Sequence, residues 1–411
     1  MTTDGHAPRA DPSPAPMTLL VTNDFPPRIG GIESFNRHLC RLLDDRVVVL
    51  TGEGDGGPDD RDVTGTFDFP VHRRPTRVLL PTADTATRAA ELMRRYGCTR
   101  VLISAAAPLG LIAGRLREAG AHRIVAISHG HEVWWAGTPG SRGALRRIGA
   151  TTDHLTWVSE FTRDAIAPAL EPADRARMRR LSPPVDTDTF APVGVDPAAA
   201  AARTKVVIGA GRLVAQKGFD TLLDAWQLVL RDHRDATLLI AGDGPQAPAL
   251  RRRRDRLGLG ERVRFLGPRA HRQMPELFAL GSIFALPVRT RLGGLNPEGF
   301  GLVFAEAAAC GLAVVAGDSG GAGETLTPGR TGLLVGSGDH RELAAALAGL
   351  LADPGRVAAM GRAGREHVES NFGADRARTM VRSLLDLGEP DTGPVPRGPR
   401  TDDPSWRSPS R

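Results

Sequence analysis

The sequence is poor in lysine, cysteine and aromatic residues. Lysine and arginine together number 53 of 411 residues, yet lysine occurs only as Lys205 and Lys217. The cysteines Cys40, Cys98 and Cys310 are widely spaced, which predicts neither a disulfide framework nor a CxxC metal site and fits a reducing compartment. Aromatic residues make up 5% of the chain, so we expect a core of Leu, Val, Ile and Ala.

Long apolar runs are also absent. No stretch of about 18 uncharged apolar residues occurs, so a membrane-spanning helix is not expected. Residues 1–16 are polar and rich in proline, without the apolar centre of a secretory signal. Residues 1–16 and 389–411 are therefore predicted to be disordered tails. The expected location is the cytoplasm.

The formal net charge of +6 raises the question of an anionic partner. Two arginine clusters, at 175–180 and 251–256, have no neighbouring aromatic residues on which bases would stack, so nucleic acid is not expected. An anionic substrate or membrane surface fits better. Five arginines of the first half are predicted either to attract anionic lipid or simply to be solvated. They are Arg28, Arg37, Arg41, Arg146 and Arg147.

Short apolar strands alternate with amphipathic helices, and this pattern occurs twice. The first series ends near Val158, the Pro-rich connector LSPPVDTDTFAPV follows, and the second series begins at TKVVIGAG. Such alternation predicts the α/β class, with two doubly wound, Rossmann-like domains whose parallel sheets carry helices on both faces. Ligands of such sheets bind outside the carboxyl ends of the strands, so we expect a central cleft between the domains.

A Gly-Gly pair follows the first strand. Pro26 and Pro27 stiffen the loop, and Gly30 and Gly31 precede a helix. Backbone N–H groups at such a helix start approach an anion closely, which makes this loop a candidate phosphate contact. A tight turn without a ligand is the alternative interpretation.

Two histidines follow another strand of the first half. His129 at a strand end is predicted to face the cleft, where it can donate to a ligand hydroxyl or a developing charge. His131 and Glu132 suggest a metal site, but a metal needs further convergent ligands and none is evident. Trp134 and Trp135 either form an apolar wall for an acceptor or belong to the core.

Two cations follow the first strand of the second half. Gly209 and Gly211 end that strand, Arg212 and Lys217 come next, and Gly218 opens a helix. Two cations beside a helix N-terminus predict a diphosphate site. The segment matches neither the GxGxxG fingerprint nor the P-loop.

A glycine-rich loop and the helix after it carry two glutamates. Glu298 lies in the loop, and Glu306 is the one charge in the apolar stretch 300–309. A buried carboxylate needs a partner, such as a ribose diol or an arginine. The start of this helix is a second candidate phosphate contact. Its residues are Gly299, Phe300, Gly301 and Leu302.

Two other acidic positions are interpreted as structural. Glu324 follows Gly320 and Gly321 at a predicted helix start, where a carboxylate favours the helix dipole. Asp186 and Asp188 form an Asp-x-Asp pattern that binds divalent cations in some sugar-nucleotide enzymes. They lie in the connector, however, and are predicted to form a turn.

Taken in order, these segments resemble the retaining glycosyltransferases of family four, which have the GT-B fold. The resemblance covers residues 17–387 and rests on Glu298 and Glu306 together with Arg212 and Lys217. SPPVDTDTF and GGAGETL also resemble family segments, with Pro184 where glycine is usual and Gly323 in place of proline. These departures affect turns rather than charges.

Three segments most resemble the actinobacterial mannosyltransferases that use GDP-mannose and phosphatidylinositol mannosides. They are VTNDFPPRIGGIESF, SHGHEVWW and RTRLGGLNPEGFG. The resemblance implies transfer of a hexose from a nucleotide sugar to a lipid-linked hydroxyl, at the inner face of the plasma membrane. Two alternatives remain: a UDP-sugar with a small acceptor, and a sugar-nucleotide-binding protein without turnover.

The resemblance also implies the division of labour. Residues 17–185 would bind the acceptor, residues 186–365 the nucleotide sugar, and a helix at 366–388 would return to the first domain. Since the two cations can replace a metal, a reaction without metal or cofactor is expected.

Each site residue receives a role by the same resemblance. Arg212 and Lys217 would bind the donor diphosphate. Glu306 would bind the ribose, and Glu298 would contact the donor sugar near its 3-hydroxyl. His129, or alternatively His131, would lie near the reacting carbon, and Gly30 and Gly31 would lie beside the phosphates and the acceptor.

Overall fold

The structure, a computed structural model, describes residues 17–28, 30–44, 46–53, 67–193, 205–291, 294 and 296–388. The tails predicted at residues 1–16 and 389–411 lie outside these ranges. Within them the chain forms two parallel sheets, each covered by helices on both faces. The predicted fold of two Rossmann-like domains is confirmed.

The first domain contains a seven-stranded parallel sheet with the order β3-β2-β1-β4-β5-β6-β7. Its strands are β1 (Thr18–Thr22), β2 (Val47–Gly52), β3 (Val71–Arg74), β4 (Arg100–Ser104), β5 (Arg123–Ile127), β6 (His154–Trp157) and β7 (Arg179–Arg180). Its helices are α1 (Gly31–Leu42), α2 (Ala83–Tyr96), α3 (Ala106–Leu109), α4 (Ala113–Glu118), α5 (Glu132–Gly137), α6 (Pro139–Thr151), α7 (Glu160–Ile166) and α8 (Pro172–Ala176). Every residue of β1 and β2 is buried, as expected for strands with helices on both sides.

The second domain contains a six-stranded parallel sheet with the order β10-β9-β8-β11-β12-β13. Its strands are β8 (Val206–Ala210), β9 (Thr237–Ala241), β10 (Val263–Gly267), β11 (Ile283–Leu286), β12 (Ala313–Gly317) and β13 (Gly332–Val335). Its helices are α9 (Phe219–Asp232), α10 (Ala247–Arg256), α11 (Met274–Phe278), α12 (Leu302–Ala309), α13 (His340–Ala352) and α14 (Pro354–Phe372). The largest side chain of its core, Trp226, is fully buried.

The last helix, α15 (Ala374–Leu384), packs on the first domain. Val381 and Leu385 are fully buried in the same core cluster as Leu20 and Val49 of the first sheet. Arg100 and Arg123 at the starts of β4 and β5 donate to the carbonyls of residues 385 and 384 over 2.7 and 2.8 Å. The second domain is therefore held to the first by the chain end as well as by the connector.

Two sequence-based expectations about this region were wrong in detail. The segment 366–388, expected as one helix, belongs to two, because α14 extends from Pro354 to Phe372 and α15 begins at Ala374, after Gly373. The strands β3, β7 and β13 were not predicted; the first two are short edge strands rich in charged residues, with the sequences VHRR and RR, rather than apolar runs. Among the described residues no single helix is long and apolar enough to cross a membrane, although the bent pair α13 and α14 meets the length and composition when joined.

The buried attachment of α15 predicts a measurable effect on stability. Leu385→Ala should lower the unfolding free energy of the first domain by about 2 to 4 kcal/mol, because it leaves a cavity in a closed core. Urea unfolding followed by tryptophan fluorescence measures this change. Leu387→Ala, at a half-buried position of the same segment, is the matched control and should cost about 1 kcal/mol or less. Equal effects of the two substitutions would contradict the packing described.

Candidate active site

The carboxyl ends of the two sheets meet at a close backbone contact between Gly130 and Gly299. Gly130 has a φ of 102°, and a Cβ placed on it would lie 2.8 Å from the Cα of Gly299. A side chain on Gly299 would in turn collide with the carbonyl oxygen of His129. Ser159 also donates to the carbonyl of Gly299 over 2.8 Å. Glycine at both positions therefore allows the loop of Glu298 to lie directly against His129.

Glu324 of the second domain stabilises the same contact. Its carboxylate accepts from the backbone N–H groups of Glu160 and Phe161, over 2.9 and 3.1 Å, at the start of α7 in the first domain. Arg180 lies 3.5 Å from it. The sequence interpretation assigned Glu324 to the dipole of its own helix. In the structure it lies in a 3₁₀ turn and interacts with a helix of the other domain.

Lys217 and Glu298 form an ion pair beside this contact. The Nζ of Lys217 lies 2.6 Å from Oε2 of Glu298, and their side chains are only 18% and 12% exposed. Gln216 donates to the carbonyl of Pro297 over 2.6 Å, which joins the same two loops. The structure therefore brings together two of the four charged groups that the sequence analysis singled out.

Arg212 is exposed. Burial raises the pKa of the Glu33 carboxyl and Asp24 raises it further, whereas a backbone hydrogen bond and the cations of Arg28 and Arg212 act in the opposite direction. Arg212 is therefore electrostatically coupled to Glu33, in the first turn of α1. The cation predicted to bind phosphate thus acts across the cleft.

The Gly-Gly loop lies at the start of α1. Gly30 is the N-cap of α1, and no atom lies within 4 Å of a Cβ placed on Gly31. This side of the helix start is open to a ligand. The carboxylate of Glu33, which the sequence analysis did not single out, lies beside Gly30. A Cβ on Gly30 would collide with it.

Glu306 is buried on α12, and its Oε1 lies 2.7 Å from Nε2 of His271. Burial lowers the pKa of His271, but the hydrogen bond and charge of Glu306 outweigh it, so the pKa is raised overall. The ring of His271 packs on Phe190 with a centroid distance of 5.1 Å. His271 is thus the partner that the burial of Glu306 required, and the sequence analysis did not identify it.

The helix start at 299–302 presents backbone rather than side chains. Gly301 is the N-cap of α12 with a φ of 87°. The ring of Phe300 is buried against Phe372 at a centroid distance of 5.3 Å. Leu302 is half-buried. Only backbone N–H groups at 299–302 are therefore candidates for binding an anion here.

His129 lies at the carboxyl end of β5 and is hydrogen-bonded to a buried side chain. Its Nε2 is 2.7 Å from Oγ of Ser104, and its ring meets Phe35 edge-on at 5.3 Å. Burial, with a contribution from His131, lowers its pKa to about 3. His129 is therefore uncharged at neutral pH.

The segment HGHE does not form a metal site. The Glu132 carboxylate is 1% exposed and accepts from Ser128 Oγ and from the N–H groups of His129 and Gly130, over 2.9 to 3.2 Å. It shapes the loop that carries His129. In the part of the chain that the structure describes, no group of three His, Cys, Asp or Glu side chains is placed to hold a metal.

The remaining candidates are the tryptophan pair of α5 and the Asp-x-Asp segment of the connector. Trp134 is 45% exposed and touches Trp135, which packs on the core beneath α6. The carboxylate of Asp186 accepts from the N–H and hydroxyl of Thr189, over 3.1 and 2.8 Å. The turn predicted in the connector is therefore confirmed.

The low pKa of His129 predicts a pH dependence of stability. Between pH 6.5 and about 3 the unfolded chain binds a proton at this residue that the folded chain does not, so folding becomes less favourable as pH falls. This effect should lower the free energy of unfolding by about 2 kcal/mol at pH 5, and His129→Gln should remove it. Urea unfolding of both proteins at pH 5 to 8 measures it. The exposed His122→Gln is the control, and parallel curves for wild type and His129→Gln would refute the assignment.

Two family models and several curated relatives match this chain. A family model described as Glycosyltransferase Family 4 matches residues 29–189, and one described as Glycosyl transferases group 1 matches residues 196–367. The GDP-mannose-dependent monoacylated alpha-(1-6)-phosphatidylinositol monomannoside mannosyltransferase of Corynebacterium glutamicum is 41% identical over 90% of this chain and 97% of its own length. The GDP-mannose-dependent alpha-(1-6)-phosphatidylinositol monomannoside mannosyltransferase of Mycolicibacterium smegmatis is 42% identical with the same coverage.

Solved structures share the fold at lower identity. The sucrose-phosphate synthase of Thermosynechococcus elongatus has a TM-score of 0.74 and 22% identity, covering 90% of this chain and 98% of its own. Anabaena HepE in complex with UDP has a TM-score of 0.73 and 22% identity, covering 90% and 99%. From the two matching family models and the close relatives, we conclude that this chain belongs to glycosyltransferase family 4 and is a hexosyltransferase.

Proposed function

We propose that this enzyme transfers mannose from GDP-mannose to a phosphatidylinositol mannoside. The observation that carries the proposal is the likeness, at 41–42% identity over 90% of the chain, to relatives with this activity in their names. The geometry supports it, because the loops of both domains that resemble these relatives lie against each other at Gly130 and Gly299. The membrane-linked acceptor would enter from the first domain.

The donor would be bound mainly by the second domain. Arg212 and Lys217 contact the diphosphate, and the free N–H groups at the start of α12 supply further donors. Glu306 uses one carboxylate oxygen for His271, and within the described residues the other has no partner, so it is available to the ribose diol. Glu298 likewise uses Oε2 for Lys217 and has Oε1 for a sugar hydroxyl.

The chemistry follows from where charge develops. When the bond between the anomeric carbon and the phosphate oxygen breaks, its electron pair passes to the diphosphate, and Arg212 and Lys217 stabilise that charge. The acceptor oxygen then forms its bond to the same face of the carbon, and its proton passes to the departing phosphate oxygen. The configuration of the sugar is thereby retained.

We infer that the two cations serve in place of a metal ion. Lys217 is held in place by its ion pair with Glu298, and Arg212 acts electrostatically on Glu33 of the first domain. Charges that are already oriented before the reaction need little reorganisation when the diphosphate departs. The proposed reaction therefore proceeds without a cofactor.

A loop of the first domain is suited to contact a membrane. Val78 and Leu80 are 46% and 58% exposed, and the basic residues Arg74 and Arg77 are beside them. Asn23 holds this loop near the cleft through two hydrogen bonds with the backbone of Leu79, of 2.6 and 3.1 Å. Apolar side chains flanked by arginines favour an anionic lipid surface. We propose peripheral attachment to the inner face of the plasma membrane by this loop.

The proposal predicts a specific donor and acceptor. The full chain is incubated with GDP-mannose, UDP-glucose and UDP-N-acetylglucosamine, with vesicles that contain phosphatidylinositol monomannoside, and with or without a chelator. Mass spectrometry should show one added hexose only with GDP-mannose and the lipid, unaffected by the chelator. Transfer from a UDP-sugar to a small acceptor would favour the alternative substrates. Donor binding without any transfer would identify a binding protein.

The two lysines provide a matched pair of substitutions. Lys217→Ala should lower kcat/KM for GDP-mannose by about 100-fold or more, because it removes a charge that stabilises the leaving diphosphate. Lys205→Ala, in an exposed ion pair with Asp235, should leave it within about twofold of wild type. Steady-state kinetics of both variants test the role of Lys217. Equal losses for the two would contradict it.

A further inference from the structure

A chain of buried polar side chains lies beneath His129. Thr22 and Ser104 end the neighbouring strands β1 and β4, and Asn36 projects from α1 onto them. All three are fully buried. Buried polar groups are retained where each hydrogen bond is made, so the direction of each bond in this chain can be worked out.

The orientation of the Asn36 amide fixes the first step. One amide atom lies 2.6 Å from the carbonyl oxygen of Asp24, which can only accept, so this atom is Nδ2. The same nitrogen donates to Thr22 Oγ1 over 3.0 Å. Oδ1 therefore faces Ser104, at 2.6 Å, and as an amide oxygen it can only accept.

The single hydroxyl proton of Ser104 is thus directed to Asn36. Ser104 can only accept in its 2.7 Å contact with His129, so Nε2 of His129 must carry a proton. In the uncharged ring Nδ1 is then a bare acceptor. Within the described residues Nδ1 has no hydrogen-bond partner, and the backbone of His129 adjoins Gly299 of the donor domain.

We propose that Ser104 and Asn36 are positioning residues that hold His129 as the neutral Nε2–H tautomer, so that it meets the donor sugar as a hydrogen-bond acceptor through Nδ1. The role of the sugar rests on the proposed function. The tautomer itself does not depend on which donor is used. His129 consequently orients a sugar hydroxyl and is not the acid of the reaction.

An uncharged acceptor suits this position for an electrostatic reason. Positive charge develops on the anomeric carbon as the diphosphate leaves, and a cationic imidazolium nearby would oppose it. The low pKa of His129 keeps the ring neutral, and because Nε2 is engaged by Ser104, the lone pair of Nδ1 points away from Ser104. The second domain supplies cations where negative charge forms, and the first supplies a neutral ring where positive charge forms.

NMR of the full chain without substrate tests the tautomer. Histidine is labelled with ¹⁵N, and the His129 signals are assigned by their loss in His129→Gln. Long-range ¹H–¹⁵N correlation at pH 7 should show protonated Nε2 and unprotonated Nδ1. An Nδ1–H tautomer or an imidazolium at pH 7 would overturn the proposal, whatever the donor proves to be.

Substitution of Ser104 tests the positioning role. Ser104→Ala should give a mixture of tautomers in the same spectrum and lower kcat about tenfold, with less than a threefold change in KM for GDP-mannose, because diphosphate contacts remain. Ser141→Ala, whose hydroxyl only donates to backbone carbonyls of the first domain, is the control. If Ser104→Ala matches that control in both spectrum and kcat, the positioning role is wrong. If Ser104→Ala does not fold, the wild-type spectrum still decides the tautomer.

The donor assignment and the tautomer of His129 can fail independently of each other. If GDP-mannose is not the donor but His129 is the Nε2–H tautomer, the substrate assignment fails and the positioning of the ring stands. If GDP-mannose is the donor and His129 is an imidazolium, the substrate assignment stands and the positioning of the ring is wrong. Addition of GDP-mannose should shift the Nδ1 resonance, because a sugar hydroxyl then donates to it, whereas GDP alone should shift it less.

Discussion

The structure depends on one close approach, in which the backbone at Gly130 touches the backbone at Gly299. Any side chain at Gly299 would collide with His129, so the two domains can meet here only through glycine. This contact places the strand ends of one sheet against the glutamate loop of the other. Glu324 and Ser159 hydrogen-bond across the same boundary. The candidate active site therefore lies where these two glycine-containing loops pack against each other.

Charge is distributed unequally across this boundary. The second domain presents Lys217 and Arg212, and the first presents the neutral ring of His129 and the half-buried carboxyl of Glu33. A sugar–phosphate bond that breaks between them leaves negative charge on one side and positive charge on the other. In the proposed reaction this arrangement stabilises both charges with little reorganisation, because the ion pair with Glu298 and the hydrogen bond to Ser104 already orient Lys217 and His129.

Much of the fold could be predicted from the sequence, because the strands of a parallel sheet covered on both faces are continuous apolar runs. The strands that lie in the interior of both sheets follow from local patterns, whereas the grouping of the Arg212 and Lys217 loop with Glu298 came from the family resemblance, since Lys217 and Glu298 are 81 residues apart. What could not be predicted depends on distant partners. Glu324 lies 164 residues from Glu160, whose N–H group it accepts from. Nothing near Glu324 in the sequence indicates that its partner lies in the first domain. Asn36 did leave a signal: it is a polar residue on the apolar face of α1, between the buried Phe35 and Leu39.

The most direct test of the account is a structure of the full chain with GDP-mannose bound. The diphosphate oxygens should lie within hydrogen-bond distance of Arg212 and Lys217, with the ribose on Glu306 and the sugar between Glu298 and Nδ1 of His129. A nucleotide bound away from these side chains, or a diphosphate that faces solvent with both cations elsewhere, would contradict the central claim that this cleft holds the donor.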